Sequence, residues 1–145
     1  MPMEEATHTG GCLCGAIRYA VSAPVQNLIA CHCTDCQKAS GTGASINALL
    51  PSSAFSITRG TPRVFTKPAD SGNVLHRHFC GDCGAPIFSQ RDNLREFMVL
   101  KAGSLDRHEG LQVVMNIWTR SRRPWTLIDP AVEAHEGNRP PARQP

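Results

Sequence analysis

Seven cysteines constrain this chain more than any other feature of its 145 residues. They form three local groups: CLC (Cys12, Cys14), CHCTDC (Cys31, Cys33, Cys36) and CGDC (Cys80, Cys83). An odd number of thiols cannot all pair as disulfides within one chain, and such clusters are typical of metal ligands. The sequence therefore predicts metal or thiol chemistry rather than a disulfide framework.

The CGDC group is the strongest metal signal among the three. Gly81 within the group and Gly84 directly after it allow a tight turn that brings two thiolates together on one ion, as in a zinc knuckle. The CLC pair is a weaker signal, because two thiols on the same face of an extended segment can also be part of a core. Thiolates without neighbouring carboxylates favour zinc over magnesium or calcium.

A closed structural zinc site needs four ligands, so seven thiols divide naturally into four and three. Joining CLC to CGDC leaves Cys31, Cys33 and Cys36 as a three-thiolate site with one open position, which is the pattern of a catalytic zinc. Spacing alone leaves other divisions open. Cys33 and Cys36 form a CxxC of their own that could complete a site with CGDC, and an iron–sulfur or redox role is also compatible with these spacings.

Short runs of alternating or β-branched residues predict a mainly β, antiparallel architecture with little helix. Nine such runs lie between turn signals rich in glycine and proline, at residues 16–21, 27–31, 44–50, 55–58, 63–66, 74–79, 86–89, 97–102 and 111–118. One short helix is predicted at TDCQKAS (34–40), with Thr34 as its N-cap and glycines at its end, and SSAF after Pro51 is predicted to form a single turn.

The length fits a single domain, which we place at residues 9–130. Residues 1–8 would be a lead-in, and residues 131–145, rich in proline and charge, are predicted to be a disordered tail.

Charge and hydropathy exclude several functional classes. The net charge of +3 is not concentrated in a basic stripe, so a nucleic-acid partner is not expected. No apolar run approaches the length of a membrane span, and the first residues, MPMEEATHTG, do not resemble a secretory signal. We therefore expect a soluble, cytoplasmic protein whose thiols stay reduced.

Histidines, tryptophans and cations give no clear site. His32 is expected to point away from the face shared by Cys31 and Cys33, and to pack or hydrogen-bond elsewhere. His76 and His78 are expected on a solvated strand face, and the two tryptophans in packing roles. The cations available to an anionic substrate are Arg18, Lys38, Arg59, Arg77, Arg120, Arg122 and Arg123, and the sequence singles out none of them.

With these motifs placed, the sequence resembles the family of glutathione-dependent formaldehyde-activating enzymes, the GFA family, which also includes centromere protein V. The matching segments are, in order, GGCLCGAIRY, ACHCTDCQKASG, FSITRGTPRVF, HFCGDCGAPIF, VLKAGSLD and IWTRSRRPW. They extend from Gly10 to about Trp125, which is nearly the whole predicted domain.

The resemblance implies a β-tent fold, built around zinc knuckles, with two zinc ions per chain. By the family pattern, Cys12, Cys14, Cys80 and Cys83 would hold a structural zinc, and Cys31, Cys33 and Cys36 a catalytic one. The implied activity is that of a carbon–sulfur lyase acting on glutathione, or a related thiol, and a small aldehyde, with S-hydroxymethylglutathione as the type of adduct.

Two other functional interpretations remain compatible with the same residues. The first is a non-catalytic binding module, in which zinc supports a surface for a protein or nucleic-acid partner. The second is a thiol sensor, in which oxidation of the three-cysteine group would release its zinc.

Overall fold

The computed structural model describes residues 7–69 and 72–139, and it confirms the mainly β expectation with little helix. All nine predicted runs form strands, and two further short strands lie at the ends. The strands are β1 His8–Gly11, β2 Arg18–Val21, β3 Asn27–Cys31, β4 Ser45–Pro51, β5 Phe55–Arg59, β6 Arg63–Pro68, β7 Val74–Phe79, β8 Pro86–Arg91, β9 Phe97–Lys101, β10 Gln112–Ile117 and β11 Glu133–Ala134; the helix is α1 Thr34–Ser40. Short 3-10 turns follow several strands, including the predicted turn at Ser52–Ala54.

The described residues form two compact units. The first unit comprises residues 7–26 and Ala48–Leu111. In it, β1, β2 and β5 form a three-stranded antiparallel sheet, and β6, β7, β8 and β9 pair in sequence order as an antiparallel meander. Short turns suit such neighbouring antiparallel pairs, which is why local sequence patterns predict this part of the fold well.

Tyr19 is the largest side chain buried in the core of the first unit, with 1% of its surface exposed. Its hydroxyl lies 2.7 Å from Ser104 Oγ, which in turn donates to the carbonyl oxygen of Lys101 at 2.7 Å. Burial raises the pKa of Tyr19 to about 12. A Cβ at Gly10 would overlap this hydroxyl, so β1 can approach β2 closely only with glycine there.

The second unit comprises residues 27–47 and 112–139, and its strand pairing is partly parallel. Strand β3 pairs antiparallel with the start of β4 and parallel with β10, and β10 also pairs parallel with β11. The strand pairing is therefore mixed here, with parallel pairs beside the antiparallel pairing that the sequence predicts. Parallel pairing joins segments that are distant in sequence, so it cannot be predicted from a local turn signal.

Helix α1 occupies the predicted residues, but its N-cap differs from the prediction. Cys33, rather than Thr34, takes the extended cap conformation, and its sulfur accepts a hydrogen bond from the backbone N–H of Cys36. The helix ends at Gly41, whose φ of 70° is left-handed and whose N–H donates to the Gln37 carbonyl oxygen.

The segment predicted to be a disordered tail contains strand β11 and further backbone hydrogen bonds. The N–H of Trp118 donates to the Gly137 carbonyl oxygen at 2.9 Å, and the N–H of Thr119 to that of His135 at 3.1 Å. Trp118 has a φ of 57°, a left-handed conformation that no other described non-glycine residue adopts. Residues 140–145 of that tail, and residues 1–6 of the lead-in, lie outside the described residues.

Among the helices in residues 7–69 and 72–139, none combines the length and apolar character needed to cross a membrane.

Candidate metal centres

The structure brings the seven cysteines into two separate clusters, with the four-and-three grouping that the family resemblance implies. In the first cluster the sulfur atoms of Cys12, Cys14, Cys80 and Cys83 all lie within 4.8 Å of one another. Cys14 Sγ lies 3.7 Å from Cys12 Sγ and 3.8 Å from Cys80 Sγ. A tetrahedral zinc with Zn–S bonds of about 2.3 Å would place its sulfurs about 3.8 Å apart. The donor set and its spacing therefore fit a closed zinc site.

Two tight turns of the first unit position these four thiols. One turn joins β1 to β2, where the Ile17 N–H donates to Cys12 Sγ at 3.2 Å. The other joins β7 to β8, where Gly84 adopts a left-handed φ of 78° and its N–H donates to the Cys80 carbonyl oxygen. Backbone N–H groups of Ala85 and then Cys14 lower the pKa of the Cys83 thiol to about 6. The turn between β7 and β8 thus favours the thiolate form of Cys83, which is the form that a metal ion requires.

The four thiols of this closed cluster differ sharply in exposure. Cys80 is buried, with 1% of its surface exposed, whereas Cys14 is exposed to solvent. Substitutions at these two positions can therefore separate loss of a metal ligand from disturbance of the core.

The second cluster lies where β3 ends and α1 begins. The sulfur atoms of Cys31, Cys33 and Cys36 lie within 4.8 Å of one another, and only Cys31 is buried. Strand β3 supplies the first thiol, the N-cap position supplies the second, and the first turn of α1 supplies the third. The cluster is therefore built from six consecutive residues, whereas the closed cluster joins two distant segments.

The chemistry of this second donor set also fits a metal ion. The neighbouring thiols Cys33 and Cys36, together with burial, raise the pKa of Cys31 far above its ordinary value. Three adjacent thiolates repel one another unless a cation lies between them, and a soft cation such as zinc suits sulfur. Three sulfurs leave one position of a tetrahedral zinc for an exchangeable ligand.

His32 lies between two of these cysteines, but its ring is turned elsewhere. It is 1% exposed, and its Nε2 lies 2.9 Å from Asn116 Oδ1 on β10. Its Nδ1 is buried and has no hydrogen-bond partner among the described residues. The sulfur cluster does not include a His32 nitrogen, and the prediction that His32 makes its hydrogen bond elsewhere is confirmed.

The other histidines and the tryptophan considered from the sequence, His76, His78 and Trp125, do not belong to either cysteine cluster. His76 and His78 are partly buried rather than solvated: His76 lies between Thr66 Oγ1 and Asp92 Oδ1, and the His78 ring stacks on Phe88 at 4.0 Å. Trp125 is 74% exposed, so the packing role predicted for it was wrong.

Sequence reasoning missed Gln37, which connects the three-cysteine segment to the chain after β10. The residue is 7% exposed, and its Nε2 donates to the carbonyl oxygens of His32 at 2.7 Å and Ser121 at 2.9 Å. Its Oε1 accepts a hydrogen bond from Arg123 Nε at 2.6 Å. The sequence shows a glutamine directly after Cys36. Two of its hydrogen-bond partners are backbone carbonyl groups, which every residue type has, so the sequence does not identify them.

The structure places the candidate cations in different environments. Arg18 pairs with Asp106, and Arg120 donates to the Glu136 carbonyl oxygen while its guanidinium lies 5.5 Å from the Trp118 ring centroid. Arg122 donates to the Thr126 carbonyl oxygen, whereas Arg123 is the one that contacts Gln37. Among the described contacts of these four arginines, that of Arg123 leads to a residue next to the three-cysteine cluster.

Comparisons with known proteins identify the family of this chain. The model of the family described as "Glutathione-dependent formaldehyde-activating enzyme" matches residues 7–121. Two fungal proteins, provisionally named as glutathione-dependent formaldehyde-activating enzymes, are similar. The one from Phaeosphaeria nodorum is 28% identical over 59% of this chain and 44% of its own length, and the one from Penicillium rubens is 28% identical over 54% and 40%. In both, the match spans less than half of the fungal protein.

A crystal structure of a Rhodobacter sphaeroides protein shares the fold. Its TM-score is 0.54 at 22% sequence identity, and the match covers 68% of this chain and 87% of that one.

Proposed function

Since the chain belongs to the family of glutathione-dependent formaldehyde-activating enzymes, we propose that it is a zinc enzyme that makes or breaks a carbon–sulfur bond. Its substrates would be glutathione or a related thiol and a small aldehyde, as the names of the fungal relatives indicate for those proteins. A cytoplasmic location, where thiols remain reduced, is part of this proposal.

The observation that carries the proposal is the three-thiol cluster. A structural zinc needs four protein ligands, and the first cluster has four, whereas Cys31, Cys33 and Cys36 supply three. A zinc ion there would offer one exchangeable position, where it could lower the pKa of a bound thiol or polarise a carbonyl oxygen. A site used only to stabilise the fold has no need of that open position.

The bond changes of the proposed reaction are simple. In the addition direction, the substrate sulfur forms a bond to the aldehyde carbon, and the carbonyl π electrons move to the oxygen. The proton lost by the thiol ends on that oxygen, so the product is a hydroxymethyl thioether, and the lyase direction reverses each change. The chain's own contribution is to hold three thiolates at one place and to position the substrate beside them.

The test is the rate at which glutathione and ¹³C-formaldehyde interconvert with their adduct, measured by exchange NMR with zinc-loaded protein. The uncatalysed reaction is the baseline. We expect wild-type protein to exceed that baseline, Cys36→Ser to fall to it while remaining folded, and Arg107→Gln, a change at an exposed side chain, to retain the wild-type rate.

A wild-type rate equal to the baseline would reject the proposal and favour the binding-module interpretation. Collapse of the Cys36→Ser fold would show that this cluster is structural rather than catalytic.

A further inference from the structure

We propose that Arg123 binds a carboxylate of the thiol substrate, and that Gln37 holds its guanidinium in position for this beside the three-cysteine cluster. This inference rests on the proposed function, because it concerns the substrate of the same site. It assigns a specificity role to one of the seven candidate cations.

Gln37 connects Arg123 to the cysteine segment. Gln37 follows Cys36 directly in α1, and its Nε2 donates to the carbonyl oxygen of His32, the residue between Cys31 and Cys33. The other end of the same amide accepts from Arg123 Nε. Two hydrogen bonds through a single side chain therefore join the guanidinium to the backbone between two of the cysteines.

Burial and hydrogen bonding make this connection rigid. Gln37 is buried, and both its donor nitrogen and its acceptor oxygen are engaged, so its amide cannot turn without losing several hydrogen bonds. An arginine on an exposed segment ordinarily samples many rotamers, and ordering it on binding weakens affinity. The Gln37 contact fixes Arg123 Nε in advance and thereby reduces that cost.

The hydrogen bond to Gln37 leaves the Nη groups of Arg123 available to a ligand. The residue is exposed, and its hydrogen bond to Gln37 uses only the Nε–H. Within residues 7–69 and 72–139, its two Nη groups have no hydrogen-bond partner. The outer edge of a guanidinium is a planar pair of donors that matches the two oxygens of a carboxylate.

The neighbouring cations are less suited to this role. Arg122 uses an Nη group to donate to the Thr126 carbonyl oxygen, and Arg120 lies against Trp118 and Glu136. Lys38 is next to Gln37 in sequence, but it is an exposed residue with a single point charge on a flexible stem. Arg122 and Lys38 therefore serve as controls of matched charge.

The experiment compares two thiols on zinc-loaded protein by isothermal titration calorimetry. Glutathione carries carboxylates, whereas N-acetylcysteamine is an uncharged thiol that also contains an amide. We expect Arg123→Gln to weaken glutathione binding by about five- to twentyfold, as for loss of a charged hydrogen bond at a partly exposed site. Binding of N-acetylcysteamine should stay within about twofold of wild type, because no charge pair is involved.

Further variants separate charge from geometry. Arg123→Lys keeps the charge but loses the Nε–H that contacts Gln37, so we expect an intermediate loss of glutathione affinity. Arg122→Gln and Lys38→Gln should bind both thiols like the wild type.

The failures of the two proposals can be told apart. If wild-type protein binds neither thiol, both the proposed function and this inference are rejected. If wild type binds glutathione and Arg123→Gln binds it equally well, only the role of Arg123 is rejected. Equal weakening of both thiols by Arg123→Gln would also reject it, because that result indicates a structural effect.

Discussion

The closed cysteine cluster gives the sharpest prediction about stability, because its members differ in exposure. We expect Cys14→Ser to lose one zinc per chain and several kcal/mol of unfolding free energy. Binding of a structural zinc contributes about 10–16 kcal/mol in small zinc domains, comparable to the 5–15 kcal/mol total stability of a typical domain. Cys14 is exposed, so a serine there removes a ligand and creates almost no packing defect.

Cys80→Ser should lower the free energy of unfolding by about 1–3 kcal/mol more than Cys14→Ser does. Cys80 is only 1% exposed. The substitution therefore removes a ligand and also buries a hydroxyl group, which is costly where that group has no hydrogen-bond partner. Leu13→Ser is the matched control: it lies in the same turn and is 90% exposed, so both zinc content and stability should stay near wild type.

The assay is zinc per chain by elemental analysis, followed by urea unfolding at fixed protein and zinc concentrations. Wild-type protein should contain two zinc ions, and a strong chelator should lower its urea midpoint at least to that of Cys14→Ser. A Cys14→Ser protein that keeps two zinc ions and the wild-type midpoint would refute the reasoning. Destabilisation of Cys80→Ser alone would show that this cluster contributes packing rather than metal binding.

Three further predictions concern the parts that surround the clusters. Tyr19→Phe should lower the unfolding free energy by about 1 kcal/mol in urea titrations, because it removes one buried hydrogen bond to Ser104. Asp106→Asn should cost about 0.5–1 kcal/mol at pH 7, since Arg18 lowers the pKa of that exposed carboxyl to about 2. This contribution is present above the unfolded pKa of about 3.9 and is lost as the pH falls toward 2, so the difference between the two proteins should shrink over that range. Gly41→Ala should destabilise by about 1 kcal/mol in thermal unfolding, because the left-handed φ of 70° disfavours a Cβ even though the space around it is open.

The predictable part of this fold is the part that local patterns determine. The nine strands were visible because each alternates or is β-branched and ends at a turn signal. Strand β1, with sequence HTGG, and strand β11, with only two residues, lack that pattern and form by pairing with β2 and β10. Tertiary pairing, not propensity, determines these two strands.

In the candidate site, too, local motifs could be predicted from the sequence, whereas contacts between distant residues could not. The cysteine grouping follows from motif spacing together with the family resemblance. The N-cap of α1 was assigned to Thr34 on propensity, but Cys33 is placed there and its sulfur accepts the capping hydrogen bond. Two of the three hydrogen bonds of Gln37, those with Ser121 and Arg123, could not be predicted, because they join positions more than 80 residues apart.

The two clusters also differ in how tightly they couple a metal ion to the folded chain. In the closed cluster, Cys14 and Cys80 are 66 residues apart, so an ion there closes a long loop. In the open cluster, Cys31 and Cys36 are five residues apart in sequence. Loop-closure entropy grows with the logarithm of length, and this difference amounts to roughly 2 kcal/mol. An ion in the first cluster would therefore restrain the fold more than an ion in the second, which is the difference expected if the second cluster is the catalytic site that we propose.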